Sequence, residues 1–258
     1  MNPHAVPNAI FGLPGKPKNG GSNPRFYEFD DGVKRLVKWH PSNHGAKACY
    51  NELLASRLGQ LIGAPILRGM VVYVPDAILP ADHRNDGAKQ GFHFGVTHMD
   101  GENFIPAQHL ADIENKKQLP SAAILLAWLS VGDQEGHNQF LQRLTQTVNG
   151  VTLDKKHYRL IDMGQAFGNW AWTASTVKPV HTSYKLPAHL EQNLSVAALK
   201  PIMAELEAVS DEAITSCASD RPEDWKVTDD EVQAVCQRIC AARDSLEQIV
   251  RTGNPNLK

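Results

Sequence analysis

The stretch Ser130-Val-Gly-Asp133-Gln-Glu-Gly-His137-Asn138-Gln-Phe-Leu141, followed later by Leu160-Ile-Asp162-Met-Gly164, decides the fold. An apolar run over residues 122–129 precedes it and is long enough for two buried helical turns. A polar loop follows this run, with an aspartate near its start and an asparagine five residues later. Asp162 stands where a second strand-like segment stops, and the glycine two residues on permits a turn.

These polar residues are the types that phosphoryl transfer requires. The transferring group is stabilised mainly by position and charge, so the protein supplies a carboxylate near the attacking hydroxyl and oxygen ligands for magnesium. Asp133 would orient or deprotonate the acceptor, while Asn138 and Asp162 would hold the metal. The structural alternative is a loop capped by its own aspartate and asparagine, followed by an ordinary turn.

The spacing of these residues resembles a known family. Asp133-x4-Asn138 followed by Ile161-Asp162-x-Gly164 is similar to the catalytic and metal-binding loops shared by HipA-like toxin kinases and phosphoinositide kinases. Further similarity lies in Val37-Lys38, in Asn51–Gly59 and in Gly63-Ala-Pro65. The chain most resembles the short, stand-alone HipA-like kinase domains, and the similarity runs from about residue 20 to about residue 172.

The resemblance implies an α+β, two-lobed protein-kinase-like fold. A small, antiparallel, β-rich N-lobe would occupy residues 20–100, and a mainly helical C-lobe would occupy residues 101–258. Residues 1–19 contain four prolines and little periodic apolar pattern, and they predict a flexible leader, either mobile or extended.

The N-lobe contains the candidate nucleotide-binding residues. A predicted hairpin follows Gly20, Gly21 and Ser22, and glycines at such a turn let backbone amides approach phosphate oxygens. The position resembles the phosphate loop of the family. The alternative is a flexible loop that binds no ligand. Lys38 lies late in the second strand and would contact nucleotide phosphates, unless it points only to solvent. Glu52 lies on the small-residue side of the next helix, where the pattern permits either a solvated or a cleft-facing carboxylate. Its ion pair with Lys38 is implied by the resemblance.

The segment around Met99 is the candidate hinge between the lobes. An alternating strand over residues 92–99 runs into Asp100-Gly101, and in a two-lobed kinase backbone groups near Met99 would bind the adenine edge. Val37 and Ile161 are candidate apolar walls. The alternative is an internal strand and turn that binds no ligand.

Four further segments carry expectations about structure. Residues 81–91 read as a polar surface loop, and residues 201–209 as a helix that begins at its proline. Thr228 and Glu231 predict a capping box at the start of another helix. Trp170 and Trp172 would either line an acceptor pocket or, more commonly for such residues, pack onto the large lobe.

Composition limits the classes of partner. The chain has 258 residues, 42% hydrophobic and 21% charged, and a net charge of -2, so it has no field that would attract nucleic acid or an anionic membrane. We therefore expect no direct nucleic-acid binding and no membrane association. Four scattered cysteines form no Cys-x-x-Cys pair, which predicts reduced thiols in a cytoplasmic protein.

The resemblance implies an ATP- and Mg²⁺-dependent kinase that phosphorylates serine or threonine on a protein. Because the toxin members modify translation proteins, a translation component is one candidate substrate, and autophosphorylation at Ser22 is suggested by analogy. The chain is too short for the extra N-terminal subdomain of the longer toxins, so no antitoxin partner is assumed. The alternatives are a lipid or small-molecule kinase and a non-catalytic nucleotide-binding pseudokinase or scaffold. No basic or amphipathic membrane-facing element supports the lipid version.

Overall fold

Five antiparallel strands form the first sheet in the computed structural model, which describes residues 1–2, 5–14, 23–40, 45–132, 138–148, 151–177 and 179–257. The strands are β1 (Ala9–Gly12), β2 (Arg25–Phe29), β3 (Lys34–Lys38), β4 (Gly69–Val74) and β5 (Gly91–Thr97), and their order in the sheet is β1-β2-β3-β5-β4. Helix α1 (Gly45–Leu61) connects β3 to β4, and the short helix α2 (Ala81–Asn85) precedes β5.

This sheet curls until its two edge strands meet. Asn8 forms a parallel bridge with Tyr73 of β4, and the backbone N–H of Tyr73 donates to the carbonyl of Pro7 over 3.0 Å. Residues of alternate position on the strands fill the space inside, among them Tyr27, Val37 and Val72. Because successive side chains of a strand point to opposite faces, the other face of β3 points out of the curled sheet, toward the second half of the molecule.

Of the two alternatives for the leader over residues 1–19, the mobile one does not apply to Ala9–Gly12. These residues form β1, which pairs with β2, and Ala9 is buried in the core of the sheet. The leader is extended here because its backbone groups bond to β2, a partner that no local pattern of the leader reveals.

The prediction of a polar surface loop over residues 81–91 is also incomplete. Its first five residues form α2, and the side chain of His83 is 0% exposed. The imidazole contacts the Tyr27 hydroxyl and packs edge-on against that ring, with the centroids 5.3 Å apart. This mainly polar segment therefore contributes one aromatic side chain to the core.

Helix α1 packs with the second half of the chain more than with its own sheet. Its residues Tyr50, Leu53 and Leu54 belong to the same hydrophobic core as the C-terminal helices. The Tyr50 hydroxyl donates to the carbonyl of Ala218 over 3.1 Å. The helix that follows the N-terminal hairpin is therefore fixed to the C-lobe.

The second half contains a three-stranded sheet and most of the helices. The sheet comprises β6 (Gly101–Asn103), β7 (Gln139–Val148) and β8 (Val151–Leu160), in the order β6-β7-β8. The helices are α3 (Pro106–His109), α4 (Leu119–Leu129), α5 (Ala174–Val177), α6 (Ala188–Asn193), α7 (Val196–Glu207), α8 (Asp211–Ser219), α9 (Asp229–Asp244) and α10 (Leu246–Gly253). The apolar helix α4 is buried on nearly every side, as its composition predicts.

Two expectations about the C-terminal helices have different outcomes. The capping box is present, with the Thr228 hydroxyl accepting from the N–H of Glu231 and the Glu231 carboxylate accepting from the N–H of Thr228. Helix α7 begins at Val196 and not at Pro201 as predicted. Its true N-cap is Ser195, and the proline lies inside the helix although it is more often found in a first turn.

Membrane-spanning helices and disulfides are both absent from the described ranges. No helix there combines the length and apolar character needed to cross a bilayer. All four cysteines are free thiols.

Buried histidines make the fold sensitive to acid. Burial lowers the pKa of His189 to about 4 and that of His93 to about 3. An unfolded chain protonates histidine near pH ~6.5, so it binds more protons than the folded chain below that pH, and the free energy of unfolding falls as the pH drops toward the folded pKa values.

We expect His189→Phe, which keeps a ring against Phe104 and Tyr158, to reduce this acid-induced loss by roughly 1 to 2 kcal/mol near pH 5. Urea unfolding near pH 7 and near pH 5 measures the difference. The value near pH 7 controls for packing, because the histidine is neutral there. An equal loss of stability in both proteins would contradict the prediction.

Candidate active site

A cleft of about 480 Å³ lies between the five-stranded sheet and the β7–β8 hairpin. Phe26, Leu36 and Phe94 line it from the sheet, and Phe140 and Ile161 line it from the hairpin side. The connection between the two sheets, residues 97–101, closes one end. An apolar cleft with a few polar groups at one end is the usual form of a small-ligand site.

The Lys38 amine joins two carboxylates at the polar end of this cleft. Its Nζ donates to Asp162 Oδ1 over 2.7 Å and also forms an ion pair with Glu52 Oε1. Glu52 is only 5% exposed, so the cleft-facing alternative applies and the carboxylate is not solvated. The ion pair implied by the family resemblance is thus present in the structure.

The charges at this end of the cleft stabilise one another. Burial alone would disfavour the Lys38 ammonium, but the nearby carboxylates of Asp162 and Glu52 raise its pKa above the ordinary value. The lysine is therefore a fixed cation. The same burial raises the pKa of the Glu52 carboxyl, and only the lysine beside it opposes this shift strongly.

Asp162 occupies a backbone conformation that few residue types adopt. It lies two residues after the end of β8 and has φ 55° and ψ 54°, in the left-handed region. Aspartate and asparagine tolerate this region better than most side chains. The side chain is 55% exposed and lines the cleft. The end of a strand and a sharp turn thus direct one carboxylate toward the space where a ligand would lie.

Gly132 and Asn138 are tied through the backbone to the segment that contains Asp162. The N–H of Ile161 donates to the carbonyl of Asn138 over 2.9 Å, and the N–H of Gly132 donates to the carbonyl of Gln165 over 3.1 Å. The Asn138 side chain is buried, and its Nδ2 makes a long contact of 3.5 Å with the carbonyl of Gly132. Asn138 and Asp162 are therefore neighbours in space.

These two residues fit a magnesium ion bound together with a nucleotide. Their carboxylate and amide oxygens are hard donors, and magnesium completes its shell with phosphate oxygens and water. Within the described ranges no group of three or more histidine, cysteine, aspartate or glutamate side chains forms a metal cluster. One carboxylate and one amide suit a metal that arrives with phosphates.

The remaining predicted site residues divide into two groups. Met99 lines the cleft at the connection between the sheets, where the hinge was expected. Gly20, Gly21, Ser22 and Asp133 lie outside the described residues.

The prediction that Val37 forms an apolar wall is wrong. Val37 is buried inside the curled sheet, on the face of β3 opposite Lys38. Leu36 lines the cleft in its place, together with Ile161, which was predicted correctly as a lining residue. Strand alternation alone could have found Leu36, because it shares a face with Lys38.

Trp172 packs against the protein and does not line the cleft. It is buried, and its indole N–H donates to Asn51 Oδ1 over 3.0 Å. The packing interpretation of this tryptophan is therefore correct, whereas Trp170 is only half-buried.

The family assignment follows from a direct match. Residues 12–253 match the family model described as HipA-like kinase. The chain belongs to the HipA-like kinase family. The match covers almost the whole chain, including the C-terminal helices that no motif placed. Family and fold together support phosphoryl transfer as the activity of this HipA-like kinase.

Solved structures show the same fold at low sequence identity. The crystal structure of CtkA, a proinflammatory kinase from Helicobacter pylori, is 10% identical, covers 96% of this chain and 97% of its own, and has a TM-score of 0.61. The two-lobed α+β kinase fold predicted for this HipA-like kinase is confirmed.

More distant similarity links it to the Golgi casein kinase. The structure with Mn/ADP bound is 11% identical, covers 98% of this chain and 74% of its own, and has a TM-score of 0.43. A second structure of that kinase is 10% identical, covers 96% and 74%, and has the same TM-score of 0.43. No curated protein matches the chain.

Proposed function

We propose that this protein is an ATP- and Mg²⁺-dependent kinase that transfers the γ-phosphate of ATP to a serine or threonine of a protein. The observation that supports it most is the Lys38 amine, placed between the carboxylates of Glu52 and Asp162 at the end of an apolar cleft between two lobes. A fixed cation, a metal-binding carboxylate and an apolar cleft are the parts that phosphoryl transfer from a nucleotide requires.

Each part has a role in binding ATP. The apolar lining, including Leu36 and Ile161, would enclose the base, and backbone groups near Met99 would bond to its edge. Lys38 would contact phosphate oxygens while Glu52 holds the amine in place. Asp162 and Asn138 would hold the magnesium ion, which neutralises charge on the phosphates when it is bound.

The chemical step is a transfer between two oxygens. The hydroxyl oxygen of the acceptor forms a bond to the γ-phosphorus, the bond from that phosphorus to the bridging oxygen breaks, and ADP leaves. Asp133, by family resemblance, would orient the hydroxyl and accept its proton. Lys38 would stay protonated and stabilise the charge on the phosphates, in keeping with its raised pKa.

Labelled-phosphate transfer tests the proposal. Purified protein is incubated with γ-labelled ATP and Mg²⁺, alone and in a whole-cell extract, and labelled proteins are identified by mass spectrometry. We expect label on serine or threonine. We expect Asp133→Asn to reduce transfer by about 100-fold or more while nucleotide binding remains, because general-base groups contribute on that scale. Asp112→Asn, an exposed aspartate paired with Lys156, is the matched control.

Thermal shift with ATP and Mg²⁺ separates the alternatives. Stabilisation together with transfer to protein supports the proposal. Stabilisation without transfer to any protein points to a small-molecule or lipid acceptor. No stabilisation by nucleotide contradicts the proposal and favours a non-catalytic scaffold. Phosphopeptide mapping decides whether Ser22 is modified, and label at other positions only would remove that residue as an autophosphorylation site.

A further inference from the structure

One buried asparagine connects α1 to the loop that carries Asp162. Asn51 precedes Glu52 on the helix and is 0% exposed. Its Nδ2 donates to the carbonyls of Gly164 over 2.8 Å, Ala166 over 3.1 Å and Asn169 over 3.3 Å. Its Oδ1 accepts from the indole N–H of Trp172 over 3.0 Å. Both ends of the amide are therefore in use.

The segment that Asn51 binds has little regular structure of its own. Residues 165–167 have non-helical backbone angles, and Phe167 has φ 63°. Carbonyls buried in such a segment need donors from elsewhere, since an unpaired buried polar group costs free energy. One side-chain amide donates to the buried carbonyls of Gly164 and Ala166 and to the part-buried carbonyl of Asn169. Its loss would remove three of the hydrogen bonds that fix the path of the backbone after Asp162.

We propose that Asn51 is a positioning residue that fixes Asp162 relative to Asn138 and so sets the affinity of the site for a divalent metal. The inference deepens the proposed function and rests on it, because it assigns these two residues to the metal. Asn51 would touch neither metal nor nucleotide. It would act through the backbone of residues 163–169.

The helix connects this positioning to the lysine. Successive residues of a helix point about 100° apart, so Glu52 reaches Lys38 while Asn51 reaches the loop. The loop also approaches α1 closely at Gly164, where a Cβ would lie 3.5 Å from Ala48 Cβ and 3.6 Å from Glu52 Oε1. Helix α1 therefore fixes the position of the Lys38 ammonium relative to the Asp162 carboxylate.

The test is Mn²⁺ binding to the full chain in the presence of ADP, with free Mn²⁺ followed by electron paramagnetic resonance. Asn51→Leu keeps the branched shape, adds no charge and removes every hydrogen bond of the amide. We expect its Mn²⁺ affinity to fall about 10-fold or more, the usual effect of removing a group that supports a metal ligand. ADP affinity without metal should change by less than about 3-fold, because Met163 is the one residue of the altered segment 163–169 that lines the cleft.

Asn254→Leu is the matched control. Asn254 is equally buried and also binds backbone carbonyls, those of Tyr184 and Val250, each over 2.8 Å, but it lies at the end of α10. It should destabilise the fold as Asn51→Leu does and leave Mn²⁺ affinity unchanged. A general loss of packing would lower the melting temperature of both variants without separating their metal affinities.

The outcomes distinguish the inference from the proposed function. Wild-type Mn²⁺ affinity in Asn51→Leu overturns the inference. A wild-type protein that binds Mn²⁺ with ADP but phosphorylates no protein counts against the proposed function alone. A wild-type protein that binds neither Mn²⁺ nor ADP overturns the inference and the proposed function together. If Asn51→Leu does not fold, Trp172→Phe removes the donor to Oδ1 and should weaken Mn²⁺ binding by about 3-fold. No change in that variant would also overturn the inference.

Discussion

Asp162→Asn is expected to reduce phosphate transfer by about 1,000-fold or more, since a bound metal contributes several kcal/mol to phosphoryl transfer and each ~1.4 kcal/mol is worth tenfold in rate. The change removes the charge that would hold the metal in the cleft. Asparagine tolerates the left-handed backbone at this position as aspartate does, so the loop should keep its path. The measurement is the rate of label transfer at saturating ATP and Mg²⁺, with the melting temperature recorded alongside.

Asp154→Asn is the control for this change. Asp154 lies on β8, the strand that ends just before Asp162, and its carboxylate accepts from the Thr145 hydroxyl at the surface. We expect full activity from the control. Transfer by Asp162→Asn within about tenfold of wild type would show that this carboxylate does not hold an essential metal.

Lys38→Met should produce two effects at once. Methionine keeps the length of the side chain but leaves the carboxylates of Glu52 and Asp162 without the cation between them. We expect phosphate transfer to fall by about 100-fold through the lost phosphate contact. The free protein should lose about 3 kcal/mol of stability, because removing one partner leaves the buried Glu52 charge uncompensated.

Mg²⁺ should partly restore the stability that Lys38→Met loses. A divalent cation in the cleft would replace part of the missing positive charge, so Mg²⁺ should raise the melting temperature of Lys38→Met more than that of wild type. Lys34→Met is the control: this lysine shares a strand and a face with Lys38, but its amine lies over the Phe26 ring, 4.6 Å from the centroid. Equal stabilisation of wild type and Lys38→Met by Mg²⁺ would count against a metal beside the lysine.

Local patterns predicted much of the secondary structure and the composition of the site. Alternation and the Asp-Gly turn predict the β2–β3 hairpin, and they place Lys38 and Leu36 on one face. Gly63 marks the end of α1, and Thr228 with Glu231 marks the start of α9. Each of these features involves residues close together in the chain, so the local pattern contains most of the information.

Contacts between distant segments could not be predicted in this way. The pattern of α1 left Glu52 either solvated or facing the cleft, because periodicity describes the helix and not what packs against it. The strand at Ala9–Gly12 and the buried ring of His83 depend on partners 15 or more residues away. Asn51 carries no local signal at all, since its carbonyl partners lie 113 to 118 residues further along.

The sequence by itself determined the family resemblance, the two-lobed fold class and the residue types available for phosphoryl transfer, because spacing and polarity are local properties of the chain. Only the tertiary structure decided what local patterns left open: it placed Lys38 in contact with Asp162 as well as with Glu52, the pair that the resemblance implied, and it turned Val37 away from the cleft. The physical reason is that burial fixes the partner of a polar group, and burial is a property of the packed lobes rather than of any single element.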